Sequence, residues 1–372
     1  MKLLITGDLA IIHPYDFTTQ LDKSVIDLFS KSDINIVNLE APVTESKCKI
    51  LKTGPHLKSH KQSLVNVFRK LKVDVATLAN NHILDYGEQG VFETISFCET
   101  NYIKTVGAGI NVREAQRILY LDTEEGQVAI INIAENEWAS ATKKSAGANP
   151  IDIIDNAKQI NEAKQSSDYV IVIVHGGHEY YSFPSPRMQK QYRFYADQGA
   201  NIIVGHHTHC ISGNEIYNGV PIYYSLGNFL FTKNNLNDEW YTGLVLEVDI
   251  TNESVDCHIH PIRQEQESFQ LSLLEGDEKN DVFERINSFS TIIADERMLD
   301  AKWNEYIDCQ SRMYLNYWSP LSYVENKYIN AAFRKLIGNM LNKKGASLYL
   351  NLVRCEAHRD LSEEVLKKYI KE

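Results

Sequence analysis

The chain has 372 residues, 43% of them hydrophobic, and a formal net charge of −11. This length predicts two domains, or one large domain with an extension, with enough apolar material for a sizeable core. The acidic balance argues against non-specific nucleic-acid binding, although it permits an anionic substrate where a bound metal ion reverses the local charge.

Cysteine usage and hydropathy predict a cytoplasmic protein. The six cysteines are widely spaced and form no CxxC pair, which indicates reduced thiols rather than a disulfide framework. The apolar stretch at the N-terminus is too short for a secretory signal. No run approaches the ~18 apolar residues of a membrane-spanning helix, so we expect no membrane span.

Short apolar runs alternate with helix-length amphipathic stretches over the first 265 residues. The runs predict strands at 2–6, 34–38, 74–79, 128–133, 169–174, 201–204, 221–225 and 243–250. The amphipathic stretches predict helices at 19–31, 59–71, 88–100, 152–167 and 187–199. The pattern from Ser59 to Gln62 predicts a capping box at the start of the second helix. The run at 170–174, VIVIV, has no polar face, as expected for a strand covered on both sides, so the rhythm predicts a layered α/β fold.

The pattern changes near residue 265. Beyond it the chain is richer in charge and in helix formers, with tyrosine and leucine at helical spacing. We therefore predict two domains, 1–265 and a mainly helical extension at 266–372. The aromatic residues of the extension are interpreted as packing residues rather than as a binding platform.

Polar side chains follow six of the predicted strands. They are Asp8, Glu40, the stretch Asn80–His82, the stretch His175–Glu179, the stretch His206–His209, and Leu226–Asn228. In an open α/β sheet, ligands gather beyond the carboxyl ends of the strands. The sequence therefore predicts one site at a common edge.

The residue types at this edge are suited to a divalent metal ion. Carboxylate, imidazole and amide oxygen ligands favour Mn, Fe or Zn over Ca or Cu(I). The candidate ligands are Asp8, Glu40, Asn81, His175, His207 and His209. Two ions ~3.5–4 Å apart can share a carboxylate and stabilise an in-line displacement at phosphorus. His82 is a candidate for protonating the leaving oxygen, as a catalytic residue.

These motifs resemble, in order, those of the bacterial capsule synthesis protein CapA family. The matching segments are Gly7-Asp8, Asn38-Leu39-Glu40, Ala79–His82, His175–Glu179, Gly205–His209 and Ser225–Phe229. The family includes the poly-γ-glutamate capsule proteins and is similar in fold to calcineurin-like metallophosphoesterases. Over about residues 1–255, the resemblance implies a four-layer α/β/β/α metallophosphatase-like sandwich, here followed by the helical extension.

The resemblance also implies roles for individual residues. Asp8 matches a ligand of the first metal, and Glu40 stands where metallophosphoesterases have a bridging aspartate. Asn81 and His82 match the Asn-His pair of those enzymes. The later histidines match a lone histidine and a His-x-His pair; these are His175, His207 and His209. Glu179, Gly227 and Asn228 match positions characteristic of CapA-like proteins, and we take Glu179 as a second catalytic candidate.

Four further residues are candidates for substrate binding. His178 follows His175 by three residues and is placed to line the pocket. Arg187 begins a predicted helix, where a guanidinium and a helix N-terminus together favour an anion. Asn228 is included from its family motif. His206 is a candidate too, although neighbours in an extended segment point to opposite sides, so it faces away if His207 faces the metal.

The predicted function is a CapA-like role in capsule or exopolymer biosynthesis of the poly-γ-glutamate type, with metal-dependent phosphoester hydrolysis. The alternative is a non-catalytic binding or assembly factor with a degenerate metal site. The alternative is favoured by Ala10, which stands where phosphoesterases carry a histidine. The number of bound metal ions, one or two, therefore stays open. Glycan or amide hydrolysis at a single metal is a third hypothesis. The expected partners are an anionic small molecule or polymer and other capsule-synthesis proteins.

Overall fold

A computed structural model of the chain describes residues 1–251, 254–324, 326–337 and 341–371. By their contacts the residues form two compact units, Met1–Asp300 and Ala301–Glu372. Residues 266–300, which their composition groups with the extension, lie in the first unit. There the strand Leu271–Leu273 pairs with the strand before it, and the following helix buries Val282 and Ile286 in the core.

The strands of the first unit include all those predicted. They are β1 (Lys2–Ala10), β2 (Ile34–Leu39), β3 (Val75–Thr77), β4 (Lys104–Val106), β5 (Ala108–Gly109), β6 (Leu119–Thr123), β7 (Gly126–Ala134), β8 (Gly147–Ala148), β9 (Tyr169–His175), β10 (Ile202–His206), β11 (Asn214–Tyr217), β12 (Val220–Tyr223), β13 (Asn228–Phe231), β14 (Thr242–Ile250), β15 (Val255–Gln264) and β16 (Leu271–Leu273). The strands that the sequence did not indicate are mostly short or lie at sheet edges.

The helices follow in the same chain order. They are α1 (Phe17–Gln20), α2 (Lys23–Phe29), α3 (Lys61–Lys70), α4 (Gly87–Thr100), α5 (Val112–Ala115), α6 (Ile153–Ser166), α7 (Pro186–Asp197), α8 (Gly276–Ala294), α9 (Glu296–Tyr317), α10 (Lys327–Ile337), α11 (Lys343–Arg354) and α12 (Glu356–Lys371). The second unit is helical where it is described, as the sequence predicts. No helix among the described residues has the length and apolarity to cross a bilayer.

Two sheets form the middle of the first unit. One has the order β16-β15-β14-β1-β2-β3-β4, with β13 also paired to β1, and the other has the order β11-β12-β10-β9-β7-β6. Within the first sheet, β1 to β4 run parallel, while β14 runs antiparallel to β1. Within the second sheet, β7, β9, β10 and β12 run parallel.

Side chains that alternate between the two faces of each strand pack the two sheets and the helices into a four-layer sandwich. Leu3 and Ile5 of β1 pack against Ile171 and Ile173 of β9, so one core lies between the sheets. Leu4 points the other way and packs in a core with helices α2, α3 and α4. The opposite face of the second sheet packs on α6 and α7. Because successive side chains of a strand point to opposite faces, each sheet is covered on both sides, and the predicted α/β/β/α class is confirmed.

Two local predictions about helices are wrong. The predicted helix 19–31 is interrupted, because Leu21 is extended and bridges Leu271, while the Asp22 side chain accepts a hydrogen bond from the Ser24 amide and starts a new helix. The predicted capping box is absent: His60, not Ser59, caps α3, with its side chain accepting from the amide of Ser63. The Ser59 hydroxyl instead donates to the carbonyl of Ala41 at 2.8 Å.

Strand register brings polar residues together around the end of β1. Asp8 lies opposite Asn38 of β2 on one side and Asn228 of β13 on the other. In the second sheet, His175 at the end of β9 lies opposite His206 of β10. The parallel strands therefore end at one edge, as the sequence predicts.

The junction of β1 and β13 requires glycine at position 7. A Cβ atom built there would lie 2.1 Å from the carbonyl oxygen of Gly227, which is closer than any side-chain carbon can approach. This contact sets the backbone just before Asp8, whose amide donates to the same Gly227 carbonyl at 3.0 Å.

We predict that Gly7→Ala lowers the free energy of unfolding by about 2–3 kcal/mol, because β1 and β13 must separate to admit the methyl group. Urea denaturation of both proteins measures the difference. Gly90→Ala, inside α4, is the control. Its Cβ would lie 3.3 Å from Tyr86 Cβ, and helix propensity favours alanine, so we expect a change below about 1 kcal/mol. Equal effects of the two substitutions would contradict the prediction.

Candidate metal site

The six predicted metal ligands converge at the shared strand edge and form two groups. In the first group, one ligand atom from each of Asp8, Glu40 and His209 lies within 4.8 Å of the others, and all three residues are buried. His209 Nδ1 is 3.5 Å from Asp8 Oδ2, and His209 Nε2 is 3.7 Å from Glu40 Oε1. These residues come from β1, from the turn after β2 and from the loop after β10.

The second group consists of Asn81, His175 and His207. His175 Nε2 lies 3.1 Å from Asn81 Oδ1 and 3.2 Å from His207 Nδ1. His175 Nδ1 is 3.7 Å from Asp8 Oδ1, so the two groups are adjacent. The geometry therefore places two nitrogen- and oxygen-rich clusters side by side.

The carboxylate oxygens of Glu40 differ from those of Asp8 in their hydrogen bonding. Both are buried, and neither has a hydrogen-bond partner among the described residues. Burial, followed by the neighbouring charge of Asp8, raises the pKa of Glu40 well above its ordinary range. A buried acceptor without a donor is costly unless it binds something else. With Asp8 and His209 beside it, this group fits a divalent cation, which would satisfy both oxygens and reverse the local electrostatics.

Two asparagine side chains hold the candidate ligands in place, and one of these asparagines, Asn38, was not among the predicted site residues. Asn38 Nδ2 donates to Asp8 Oδ1 at 2.6 Å and lies 3.0 Å from His175 Nδ1. Asn228 Oδ1 lies 2.9 Å from His209 Nδ1, and its amide donates to the carbonyl of Trp240 at 3.0 Å. Each contact fixes one ring nitrogen and leaves the other to face the groups described above. Asn228, predicted to bind substrate, thus lies behind His209.

The backbone of the histidine loop is left-handed at two residues. His207 has φ of 88° and His209 has φ of 56°, a region that residues with a side chain seldom adopt. The amide of His207 donates to Asp8 Oδ2 at 3.1 Å. The loop therefore brings both imidazoles, two residues apart, to the same pocket, and His209 packs against Trp240 with ring centroids 4.6 Å apart.

His82 belongs to a buried polar cluster beside the first group. Its Nδ1 lies 2.7 Å from Asp85 Oδ2, and its Nε2 lies 3.8 Å from Glu40 Oε1. Lys52 forms an ion pair with Asp85 and lies 3.2 Å from His82 Nδ1. Burial lowers the pKa of His82, and Asp85 opposes part of that effect. Asp85 was not predicted, and Lys52 was outside the predicted site, because neither follows a strand.

The remaining candidates lie at the rim or outside the pocket. Glu179 is exposed, but its charge helps raise the pKa of Glu40, so it lies near the first group. His178 is half-buried, and burial lowers its pKa. The Arg187 side chain is 60% exposed and forms an ion pair with Glu135 at 2.7 Å. His206 is buried, with Nε2 2.7 Å from the Thr6 carbonyl oxygen, so it links β10 to β1 rather than lining the pocket.

All six cysteines are free thiols, as predicted. Cys210 is buried next to the histidine loop, and burial raises the pKa of its thiol to about 11. Its Sγ lies 3.6 Å from the hydroxyl of Thr208. A thiol held in its neutral form favours packing over metal binding.

Comparison with known proteins identifies related sequences. The model of a family described as "Bacterial capsule synthesis protein PGA_cap" matches residues 2–233. The "PGA biosynthesis protein CapA" of Bacillus subtilis (strain 168) is 36% identical over 208 residues, which is 55% of this chain and 54% of the relative. The "Capsule biosynthesis protein CapA" of Bacillus anthracis is 34% identical over 222 residues, 58% of this chain and 54% of the relative. The chain spans about half the length of these curated relatives.

A solved structure gives a weaker match. A hypothetical protein from Thermus thermophilus aligns with 70% of this chain and 99% of its own, at 13% identity and a TM-score of 0.44.

We predict that Lys52→Met lowers the free energy of unfolding by about 3 kcal/mol, because it leaves the buried Asp85 carboxylate without its cation. The side chains of Lys52 and Asp85 are 3% and 0% exposed. Chemical denaturation measures the loss, with Lys49→Met, an exposed lysine of the same loop, as the control. The double variant with Asp85→Asn should recover part of the loss. An effect no larger than that of Lys49→Met would contradict the ion pair.

We predict that the chelator-treated chain melts at a lower temperature as the pH falls from about 7.5 to about 5.5. Burial lowers the pKa of His82, His175, His206 and His209 below the ordinary 6.5, so their contribution to stability is present above that pH and lost on acidification. Glu40 has a raised pKa and therefore stabilises the folded chain as the pH falls, but it is one group against four histidines.

The same titration of His175→Asn isolates one of these histidines. Its melting temperature should depend less steeply on pH than that of the parent chain, because one buried imidazole no longer has to bind a proton on unfolding. A parent melting temperature that rises on acidification would show that the carboxyl outweighs the histidines.

Proposed function

The chain belongs to the family of bacterial capsule synthesis proteins, and from that premise we propose that it hydrolyses a phosphoester, or catalyses a related transfer, with a divalent metal ion. The observation that carries the proposal is the pair of buried Glu40 oxygens without hydrogen-bond partners among the described residues. One of them, Oε1, lies 3.7 Å from His209 Nε2 and 3.8 Å from His82 Nε2. A carboxylate, a ligand histidine and a proton-carrying histidine are thus within reach of one reacting group.

Asp8, Glu40 and His209 would hold the first ion, and Asn81, His175 and His207 would hold a second where one binds. A cation of the Mn, Fe or Zn type would supply Lewis acidity toward a phosphoryl oxygen and would lower the pKa of bound water. The chain's own contribution is to orient these ligands through Asn38 and Asn228 before the cation arrives.

His82 is proposed to move the proton. Asp85 engages Nδ1, so Nε2 faces the pocket, where it can accept a proton or return one to a leaving oxygen. Because burial lowers its pKa, the imidazole is neutral at neutral pH in the free chain. Asp85, paired with Lys52, stabilises the imidazolium when it forms.

The charges around the pocket restrict the substrate. Asp8 and Glu179 place negative charge around Glu40 in the free pocket, and Glu137 Oε1 lies 3.7 Å from His207 Nε2. An anionic substrate is therefore attracted only after a cation binds. His178 and Glu179 at the rim remain the substrate-side and catalytic candidates. Arg187 would bind an anion only after leaving Glu135.

The family supplies the biological context. We propose that the substrate is an anionic small molecule or polymer of capsule or exopolymer production, of the poly-γ-glutamate type. Other proteins of that synthesis are the proposed partners. The cytoplasmic location expected from the sequence stays a prediction.

One observation favours a second function, that of a non-catalytic binding or assembly factor. Ala10 is buried in an apolar cluster with Phe231 and Trp240, so β1 offers no histidine ligand beyond Asp8. The first ion would therefore have one protein ligand fewer than in phosphoesterases with a histidine there. A centre of this kind can bind an anion without turning it over.

The test is turnover of an aryl phosphate by the purified chain, with its metal content measured. We expect metal-dependent hydrolysis, loss of metal in Asp8→Ala, and a kcat lower by about 100-fold or more in His82→Ala with metal retained. His258→Ala on β15, exposed and away from the site, is the control and should match the parent. If the chain binds stoichiometric metal but hydrolyses none of the phosphoesters tested, the enzyme hypothesis is rejected in favour of the binding factor. Parent-like turnover in His82→Ala would remove the proton-transfer role.

A further inference from the structure

The second unit contains a segment whose charge is opposite to that of the chain. From Lys327 to Arg354 the sequence has six basic residues and no acidic residue, in a chain of net charge −11. The segment includes helices α10 and α11, which we call the basic helix pair. Such segregation marks a surface for an anionic partner.

Helix α10 presents an apolar stripe to solvent. Ile329, Phe333 and Leu336 are 48%, 46% and 81% exposed. Their spacing of four and three residues places them on one face of the helix, and Lys327 and Arg334 lie on the opposite side.

Helix α11 repeats this arrangement. Lys343, Lys344 and Arg354 fall within an arc of about 100° around the helix axis. Leu348 and Val353, which lie away from that arc, are 58% and 53% exposed. Both helices thus combine exposed apolar side chains with exclusively positive charge.

We propose that the basic helix pair docks on an anionic lipid bilayer, with its apolar residues in the headgroup region and its lysines and arginines on the lipid phosphates. A helix that is amphipathic and basic lies in the membrane interface rather than across it. α10 has only eleven residues, and no described helix is suited to span a bilayer. A soluble polyanion would use the charge but would leave the apolar stripe in water.

A second copy of the chain is a poorer occupant of this surface. Pairing the same surface of two copies would bring two sets of positive charges together, which costs free energy unless anions intervene. The charge thus favours a lipid surface over a symmetric dimer. This inference does not depend on the proposed phosphoesterase activity.

The experiment is co-sedimentation of the full chain with vesicles. One set is phosphatidylcholine alone, and the other contains equal parts of phosphatidylcholine and phosphatidylglycerol. We expect binding to the anionic vesicles only, weakened by added salt because screening reduces the lysine and arginine contribution.

Variants separate the two contributions. Lys343→Gln with Lys344→Gln should weaken partitioning by about 30-fold, from about 1 kcal/mol per lysine. Phe333→Ser with Leu336→Ser should weaken it by about tenfold or more while leaving the charge unchanged. The matched control, Lys143→Gln with Lys144→Gln, removes two exposed lysines from the first unit and should bind as the parent does. Far-UV circular dichroism verifies that every variant retains its helices.

Several results would overturn the proposal. Failure of the folded parent to bind anionic vesicles would do so, as would equal binding to both sets. Binding of soluble polyglutamate that is insensitive to Phe333→Ser and Leu336→Ser, without vesicle binding, would assign the surface to a polyanion. A dimer that light scattering detects and that the same serine variants dissociate, again without vesicle binding, would assign it to a second copy.

Discussion

The site depends on two buried carboxylates at one sheet edge, of which only one is hydrogen-bonded to donors of the protein. Asp8 receives donors from Asn38 and from the amide of His207, whereas the oxygens of Glu40 have no such partner among the described residues. Uncompensated charge in a low-dielectric interior is unstable, so the free chain favours a protonated Glu40 and neutral histidines. A cation would reverse the first preference, because it favours the Glu40 carboxylate, and would reinforce the second, because only a neutral imidazole can be a ligand. Metal binding would therefore be coupled to the release of the Glu40 proton.

The fold creates this situation through topology. β1 lies between β2 and β13 in one sheet, while β9 and β10 end beside it in the other. Polar groups that are distant in the chain therefore share a water-poor junction, where hydrogen bonds between them are strong. Gly7, which lets β1 approach β13 closely, is part of the same arrangement.

Most of the candidate site could be predicted because strand ends of parallel sheets converge. Asp8, Glu40 and His175 each follow an apolar run that predicts a strand, so their positions in the sequence place them at strand ends. Asn38 lies within its strand and Lys52 in an aperiodic loop, so their roles depend on contacts that only the folded chain shows. The break near Leu21 likewise depends on a bridge to Leu271, far away in the chain, which no local pattern encodes.

The left-handed residues of the histidine loop have a consequence for how this chain can change. Each such conformation costs about 1–3 kcal/mol for a residue with a side chain, and glycine would relieve it. Replacing His207 or His209 by glycine would relieve this strain, but it would also remove a buried imidazole together with its contact to His175 or to Trp240. The chain therefore places both imidazoles at the pocket in spite of a backbone cost, and no residue type at these two positions satisfies the backbone and the side-chain contacts together.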